Sequence, residues 1–221
     1  HITAVILVLA LFKADSLWCQ IEIINSGTSG PIVQIEKQED NIYLIGTYDY
    51  FARYLTDIDS VAILQIPGAI YFRLDISLTD SSTIYALSAN TLPNYALIFK
   101  SGDGGTTWDL LWDTSGFYMR DFVMFDTIKG LGIGLLNKGL WTNDGGHSWT
   151  YDVQPVNGTS AKKKYNDSTF CMAQSFRFCI THDKGESWYC ISFEKNPRDF
   201  FFLNDTVLYA VSQGHFSYSD N

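Results

Sequence analysis

The sequence predicts an all-β protein, a β-propeller built from four-stranded antiparallel blades. Three observations lead to this fold class: a turn motif recurs about every 40 residues, a strand–turn–strand pattern recurs between its copies, and the composition suits tightly turning strands. Of the 221 residues, 46% are hydrophobic, 15% aromatic and only 18% charged, which excludes a disordered chain. A repeat of this length is typical of one propeller blade.

The turn motif has the form S/T-x-D-x-G-x-S/T-W, and we call its three complete copies the box turns. Their members are Ser101, Asp103, Gly105, Thr107 and Trp108; Thr142, Asp144, Gly146, Ser148 and Trp149; and Thr181, Asp183, Gly185, Ser187 and Trp188. The aspartates are 41 and 39 residues apart (144 − 103 and 183 − 144). A partial fourth copy ends the chain at Asp220, 37 residues after the third aspartate (220 − 183).

Each residue type in the motif predicts a local structural task. The carboxylate can accept N–H groups within its own turn, the glycine permits an unusual backbone angle, and the tryptophan ring can pack onto its own blade. A motif that occurs once per blade is expected to stabilise each blade, whereas a catalytic site occurs only once in a protein. We therefore predict structural roles for the box turns and no catalytic residue among them.

The box turns resemble the Asp-box, or bacterial neuraminidase repeat, of sialidases, xyloglucanases, sortilin-type receptors and photosystem II assembly-factor-like propellers. This resemblance implies that the box turns lie at the blade periphery, away from the binding face. The pattern from Arg120 to Gly134 recurs from Arg198 to Ser212, 78 residues later (198 − 120), and more loosely from Tyr71 to Ser88. It most resembles the photosystem II assembly-factor-like group and exported bacterial proteins made of similar blades.

The repeats predict blade limits along residues 20–221. The first blade is expected from about residue 21 to 66, with a decayed motif at 56–59. The second should end near residue 112, the third at 153 and the fourth at 194, and an unfinished fifth should start near 196. Four to five blades are thus expected, and because closed propellers commonly need more, the natural chain is expected to continue.

The first residues predict export. The apolar run from Ile2 to Phe12 is far shorter than the ~20 residues needed to cross a bilayer, so no transmembrane span is expected. The run has the length of a signal-peptide core, which makes residues 1–19 a signal peptide without its start; a buried strand is the alternative. Cys19 could be removed or lipidated. The protein is then secreted, periplasmic or held at the cell surface.

The other three cysteines, Cys171, Cys179 and Cys190, allow at most one internal disulfide. Pairing of Cys171 with Cys179 and of Cys179 with Cys190 are both open, and export would permit either. Their spacing fits no zinc motif, and we predict no metal and no cofactor.

The charge argues against nucleic acid as a partner. The net charge is −9, with 15 basic and 24 acidic residues, whereas a phosphate-binding surface needs clustered lysines and arginines. The basic run Lys162–Lys164 lies in a turn-rich stretch, and we interpret it as a solvated loop.

The alternative function is that of a glycoside hydrolase, sialidase-like or glucan-active. Sialidases bind the substrate carboxylate with arginines, but Arg73-Leu74-Asp75 lacks the proline of their Arg-Ile-Pro motif. A glycosidase also needs two facing carboxylates, for which Asp75, Asp121 and Asp199 are candidates. Asp121 and Asp199 follow arginines, so salt bridging is the simpler interpretation. The alternative remains a hydrolase whose catalytic residues lie partly outside this chain.

Binding is the function that the sequence favours. Arg73, Arg120 and Arg198 occupy related blade positions and form the candidate binding face. Propeller faces present loops on a rigid scaffold, which suits recognition, and the resemblance to the assembly-factor-like propellers implies an arginine-rich face for a partner. We predict a non-enzymatic exported module that binds a protein or a glycan.

Overall fold

Strands form all the regular secondary structure of the described residues. The structure is a computed structural model that describes residues 6–11, 20–25, 32–38, 41–46, 51–55, 60–67, 73–80, 82–90, 95–115, 117, 119–134, 138–153, 155, 159, 161–192, 197–204, 207–212 and 215–219. These residues contain 21 β-strands and no helix. The predicted all-β class is therefore confirmed.

Four of the sheets have four strands each and are the predicted blades. Blade 1 contains β3 (Ile32–Gln38), β4 (Asn41–Gly46), β5 (Phe51–Leu55) and β6 (Ser60–Leu64). Blade 2 contains β7 (Arg73–Leu78), β8 (Ile84–Asn90), β9 (Tyr95–Ser101) and β10 (Asp109–Ser115). Blade 3 contains β11 (Met119–Met124), β12 (Gly130–Gly134), β13 (Lys138–Thr142) and β14 (Thr150–Val153). Blade 4 contains β15 (Ala161–Lys164), β16 (Phe170–Gln174), β17 (Arg177–Thr181) and β18 (Tyr189–Ser192).

Two smaller sheets flank these blades in the sequence. A fifth sheet contains β19 (Pro197–Phe202), β20 (Leu208–Ser212) and β21 (His215–Ser219). At the start of the chain, β1 (Ile6–Leu11) pairs antiparallel with β2 (Gln20–Asn25). Residues 20–25 thus pair outside blade 1, which begins at Ile32 and not near residue 21 as predicted. Removal of residues 1–19 on export stays a prediction, and the decayed motif at 56–59 lies outside the described residues.

Every blade is an antiparallel meander in which sequence neighbours are also sheet neighbours. The first strands of successive sheets contact one another, as β7 does with β11 and β15 with β19. Consecutive sheets therefore repeat the same order, from a central first strand to a peripheral fourth strand, which is the radial arrangement of a β-propeller. The blade limits predicted at 153 and 194 agree with the last strands of blades 3 and 4 to within two residues.

The core is divided into layers between successive sheets. Alternate residues of one strand face opposite neighbours, so Ile84 and Ala86 of β8 pack against blade 1, whereas Tyr85 and Leu87 pack against blade 3. Two further apolar clusters join blade 3 to blade 4 and blade 4 to the fifth sheet. Burial of each large apolar side chain stabilises by roughly 1.5–3 kcal/mol. This continuous stack holds the first strands in fixed positions along the axis.

Candidate functional site

The first strands of blades 2, 3 and 4 run in the same direction along the axis. The N–H of Phe122 donates to the carboxylate of Asp75 (3.1 Å), and the N–H of Met124 donates to the hydroxyl of Ser77 (2.8 Å). Both partners advance by two residues, which is the pattern of parallel neighbours. In β15, Lys162 and Lys164 donate in the same order to the carbonyl oxygens of Phe122 and Met124. The beginnings of these strands therefore gather at one end of the axis, and their ends gather at the other.

Buried charges join the three first strands. Asp75 is 2% exposed and Asp121 is 3% exposed. The ammonium of Lys162 forms an ion pair with Asp75 and donates to the carbonyl oxygen of Phe122 (2.7 Å). The hydroxyl of Thr159 donates to Asp121. A lysine of blade 4 thus binds a carboxylate of blade 2 and a carbonyl of blade 3.

The environment of Asp75 disfavours its charged form. Burial is the largest cause and raises the pKa of Asp75; the ammonium of Lys162 acts in the opposite direction, and the carboxylate of Asp121 adds to the increase. Two carboxylates that are close together in a poorly hydrated interior repel each other, and the ion pair with Lys162 opposes this repulsion by favouring the charged form of Asp75.

Lys164 repeats this arrangement one step further along the axis. Its ammonium donates to the carbonyl oxygens of Leu78 (3.1 Å) and Met124 (3.0 Å) and pairs with Asp167 (3.2 Å). Burial lowers the pKa of Lys164. The interpretation of Lys162–Lys164 as a solvated loop is therefore wrong: these residues belong to β15, and alternation along the strand turns Lys162 and Lys164 toward the axis.

The arginines singled out from the sequence lie where the first strands begin. In β11 the register shifts between Met119 and Asp121, and in β19 it shifts between Pro197 and Asp199, so Arg120 and Arg198 occupy equivalent β-bulges. Bulges often redirect a side chain near a functional site. We call Arg73, Arg120 and Arg198 the arginine rim.

The members of the arginine rim differ in their surroundings. The side chain of Arg120 is 36% exposed, and its Nε lies 3.8 Å from a carboxylate oxygen of Asp121. Arg198 is exposed. Arg73 begins β7, where it pairs with Ala89, and its side chain is outside the described part of the structure. Of the three candidate carboxylates, Asp75 and Asp121 interact, whereas Asp199 is exposed.

The box turns connect the third and fourth strands of blades 2, 3 and 4 through the same hydrogen bonds. Each aspartate Oδ1 accepts the N–H of the residue four positions later, Thr107, Ser148 or Ser187, at 2.8, 2.9 and 2.9 Å. The first hydroxyl of each turn donates to the aspartate at 2.8, 2.8 and 2.7 Å and accepts the glycine N–H at 2.8, 2.8 and 2.9 Å. Each indole N–H donates to the carbonyl of that glycine.

These hydrogen bonds stabilise the charged carboxylates. The N–H and hydroxyl of Thr107 hold the pKa of Asp103 at about 2, and the corresponding groups of Ser148 and Ser187 hold the pKa of Asp144 and of Asp183 at about 2. Because these pKa values are below the value of 3.8 for a free aspartate, the stabilisation is fully present above about pH 5, decreases below it and is lost as the pH falls through about 2.

The box turns pack against the preceding blade, not only against their own as predicted. The half-buried ring of Trp108 meets Phe51 of blade 1 edge-on, and the ring of Trp149 lies 5.8 Å from that of Trp112 of blade 2. Gly105 and Gly185 have positive φ angles of 92° and 80°. These glycines approach the preceding blade so closely that each box turn also joins two blades.

Substitution of Asp144 by alanine should lower the free energy of unfolding by about 1–2 kcal/mol, as loss of a capping carboxylate does at a helix start. The reason is that the N–H of Ser148 and the hydroxyls of Thr142 and Ser148 lose their acceptor. Chemical denaturation measures the change, with Asn143→Ala in the same exposed turn as the control. An unchanged stability combined with lost ligand binding would place the function in the box turns and contradict their structural role.

A disulfide joins Cys179 and Cys190, which face each other on β17 and β18. This is one of the two pairings left open by the sequence. Cys171 is a free, buried thiol whose pKa is raised by burial. Within the described ranges, no group of three or more His, Cys, Asp or Glu residues could hold a metal ion. No helical segment of these ranges has the length and hydropathy of a bilayer-spanning helix.

A second repeated turn was not recognised from the sequence. The side chains of Asp80, Asp126, Asn166 and Asn204 follow the first strands and accept N–H groups two or three residues later, at 2.7–2.9 Å. The box turn forms a hydrogen bond to this second turn of the same blade. In blade 3 the N–H of Gly145 donates to the carbonyl of Ile128, and in blade 4 the N–H of Lys184 donates to the carbonyl of Ser168. The residues two positions before these side chains end the first strands, and that spacing could have identified β15.

No family model and no curated protein sequence matches this chain. Several solved structures share its fold. The structure of "YCF48 bound to D1 peptide" aligns with a TM-score of 0.64 at 13% identity over 86% of this chain and 63% of that chain. The Niastella koreensis GH74 enzyme aligns with a TM-score of 0.65 at 14% identity over 83% and 33%. A chain of the Nidogen/Laminin complex aligns with a TM-score of 0.66 at 13% identity, over 90% of this chain and 80% of that chain.

This chain thus spans less than two thirds of the YCF48 chain and one third of the GH74 chain. At these identities the similarity shows the β-propeller fold alone. The three proteins differ in activity, since one is bound to a peptide, one is an enzyme and one belongs to a protein complex. Function therefore has to be argued from the side chains of this chain.

Proposed function

We propose that this chain is a non-enzymatic, exported binding or assembly module that recognises a protein or glycan partner through the arginine rim. The observation that carries the proposal is the placement of Arg120 and Arg198 in equivalent β-bulges, at the beginnings of first strands that lie two blades apart. In this proposal the box turns are structural repeats of the Asp-box type.

The chemistry of the arginine rim suits recognition. Guanidinium groups bind carboxylates and other oxyanions through two parallel hydrogen bonds and stack on flat surfaces. Arg198 is exposed, and the side chain of Arg120 is partly exposed. Both are fixed on strands of a rigid scaffold, so little ordering is needed when a partner binds.

A glycoside hydrolase is the second candidate, favoured by the interaction of Asp75 with Asp121 and by the GH74 enzyme among proteins of this fold. The surroundings of the two carboxylates support a structural role instead. Asp75 is bound by Lys162 and by the N–H of Phe122, and Asp121 accepts the Thr159 hydroxyl. Carboxylates that cleave a glycosidic bond must flank that bond, whereas these two are almost completely buried.

Export is supported by the apolar run of residues 2–12 and by the Cys179–Cys190 disulfide, because disulfides persist in oxidising compartments. Amino-terminal sequencing of the exported protein tests this part of the proposal. A sequence that begins at Gln20, or a lipid attached to Cys19, agrees with it. An intact residue 1–19 segment on exported protein would contradict the signal peptide.

The double variant Arg120→Ala/Arg198→Ala should lose partner binding at least about tenfold, as expected when two charge-assisted contacts are removed. The full chain is immobilised and used to capture proteins from the exported fraction of its native cell, and it is also applied to a glycan array. Arg177→Ala, at an exposed position of β17, is the matched control. Thermal unfolding verifies that all variants are folded.

Unchanged capture by the double variant would contradict the arginine rim as the binding surface. Hydrolysis of a sialoside or of xyloglucan by the wild-type chain would replace the binding proposal with the glycoside hydrolase. The binding and hydrolysis assays use the same preparation whose folding was verified by thermal unfolding, so that loss of fold is not confused with loss of function.

A further inference from the structure

A cavity of about 220 Å³ lies at the end of the axis opposite the arginine rim. Its walls come from the later parts of the first strands: Glu36 and Lys37 of β3, Ser77 and Leu78 of β7, and Lys162 and Lys164 of β15. The ring of Tyr165 and the side chains of the following turn complete one side. The cavity is thus distinct from the surface of the proposed function.

The walls of this cavity carry more lysines than carboxylates in a chain whose net charge is −9. They contain four lysines and two carboxylates, namely Lys37, Lys162, Lys163, Lys164, Glu36 and Asp167. Walls of low polarisability concentrate the field of such charges. Lys162 is paired with Asp75 and Lys164 with Asp167, so Lys37 and Lys163, opposed by Glu36, leave a small surplus of positive charge that favours an anion over a cation.

Two of the lysines are fixed before any ligand arrives. The three N–H groups of Lys164 are directed at the carbonyls of Leu78 and Met124 and at Asp167. Lys164 therefore has no N–H group left for a ligand and can act on it only through its charge. Lys162 binds Asp75 and the carbonyl of Phe122 among the described residues. An ammonium has three donors, which leaves one N–H of Lys162 for a ligand.

Lys37 differs from these two because it is exposed. No described residue forms an ion pair with Lys37. An exposed lysine that pairs with no described residue and a largely buried, fixed lysine can each donate to one oxygen of the same carboxylate. The volume corresponds to about seven water molecules at roughly 30 Å³ each, which admits a small organic molecule but not a folded segment.

We propose that this cavity binds a small organic anion through its carboxylate, held between Lys37 and Lys162, with the body of the ligand beside Leu78 and Tyr165. A sugar acid or a short dicarboxylic acid has the appropriate charge and size. This site is independent of the arginine rim.

Calorimetric titration of the full chain with glucuronate, succinate, inorganic phosphate and glucose tests the proposal. Glucuronate or succinate should bind, glucose should not, and phosphate should bind more weakly than the carboxylates. Lys37→Glu should weaken carboxylate binding at least about tenfold, because it replaces an exposed positive charge of the cavity wall with a negative one. Lys138→Glu, the same exposed change on β13, should leave binding unchanged.

Several results would overturn the anion site. These are equal binding of glucose and glucuronate, absence of carboxylate binding at about 50 mM, tighter binding of phosphate than of either carboxylate, or equal affinities of wild type and Lys37→Glu. The Arg120→Ala/Arg198→Ala variant separates the two sites: it should bind carboxylates in this cavity as the wild type does. Loss of carboxylate binding in that variant would assign the anion to the arginine rim instead.

Discussion

Replacing Lys162 with methionine is expected to lower the free energy of unfolding by about 3–5 kcal/mol at neutral pH, the usual effect of removing one partner of a buried ion pair. Methionine keeps most of the aliphatic stem, so the loss comes from the ammonium. Asp75 would remain 2% exposed without its counter-charge, and the carbonyl of Phe122 would lose its donor. Denaturant unfolding measures the change, provided that the free energy of unfolding falls with denaturant concentration at the same slope in both proteins.

The pH dependence of this variant follows from the sign of the Asp75 shift. Burial raises the folded-state pKa of Asp75 and Lys162 opposes the rise, so removal of Lys162 raises this pKa further. The charge of Asp75 then destabilises the variant more than the wild type at high pH, and protonation relieves this extra cost as the pH falls through the raised pKa. The stability loss of Lys162→Met should therefore shrink on acidification. Below the unfolded-state pKa the loss should be smallest, because Asp75 is then protonated in both states.

Two further variants decide whether the ion pair is responsible. Lys163→Met changes the adjacent lysine, which forms no ion pair with any described residue, and should cost less than about 1 kcal/mol. Asp75→Asn combined with Lys162→Met should recover part of the loss, since no buried charge is left unpaired. Equal losses for the two lysine variants would show that the axial ion pair contributes little.

Gly185→Ala should lower the free energy of unfolding by about 2–4 kcal/mol, as the sum of a left-handed backbone strain and overpacking. The φ angle of Gly185 is 80°, and a Cβ there would lie 2.4 Å and 2.8 Å from two ring atoms of Trp141 in blade 3. The indole is held against Phe125 and cannot withdraw as a flexible side chain would. Thermal and denaturant unfolding measure the loss.

Gly102→Ala is the control for this prediction. Gly102 also lies in a box turn, but its φ is not in the left-handed range and no atom lies within 4 Å of an added Cβ. Its stability should change by no more than about 0.5 kcal/mol in either direction. If the two alanine variants were equally stable, the close approach of the box turn to the preceding blade would make no contribution to the free energy of unfolding.

The sequence predicted the parts of the fold that depend on local structure. The box turns satisfy their own polar groups within five or so residues, so their pattern is visible in any copy, and their spacing set the blade limits near Val153 and Glu194. The equivalence of Arg120 and Arg198 was also visible, because each is followed by Asp-Phe and then by a turn. In the structure both arginines lie at a register shift near the beginning of a first strand.

The axial network could not be predicted because its partners are distant in sequence. Lys162 and Asp75 are separated by 87 residues, and a run of three lysines is usually solvated. The turn at Asn166 indicated that Lys162–Lys164 form a strand. Asn166 lies two positions after Lys164, as Asp126 and Asn204 lie two positions after the strand ends at Met124 and Phe202. The packing of Trp108 against Phe51 was missed for the same reason: it is a contact between blades.

The close approach of each box turn to the blade before it has a consequence for how such a chain can change during evolution. Gly105, Gly146 and Gly185 bring each box turn against the blade before it, where they meet Leu64, Leu111 and Trp141 respectively, so duplication of one blade also copies its own half of the connection. The other half, the side chain on the preceding blade, differs at each junction and has to fit the incoming turn. Selection can also act on the first strands, where single residues such as Lys162 or Arg198 distinguish one blade from the next.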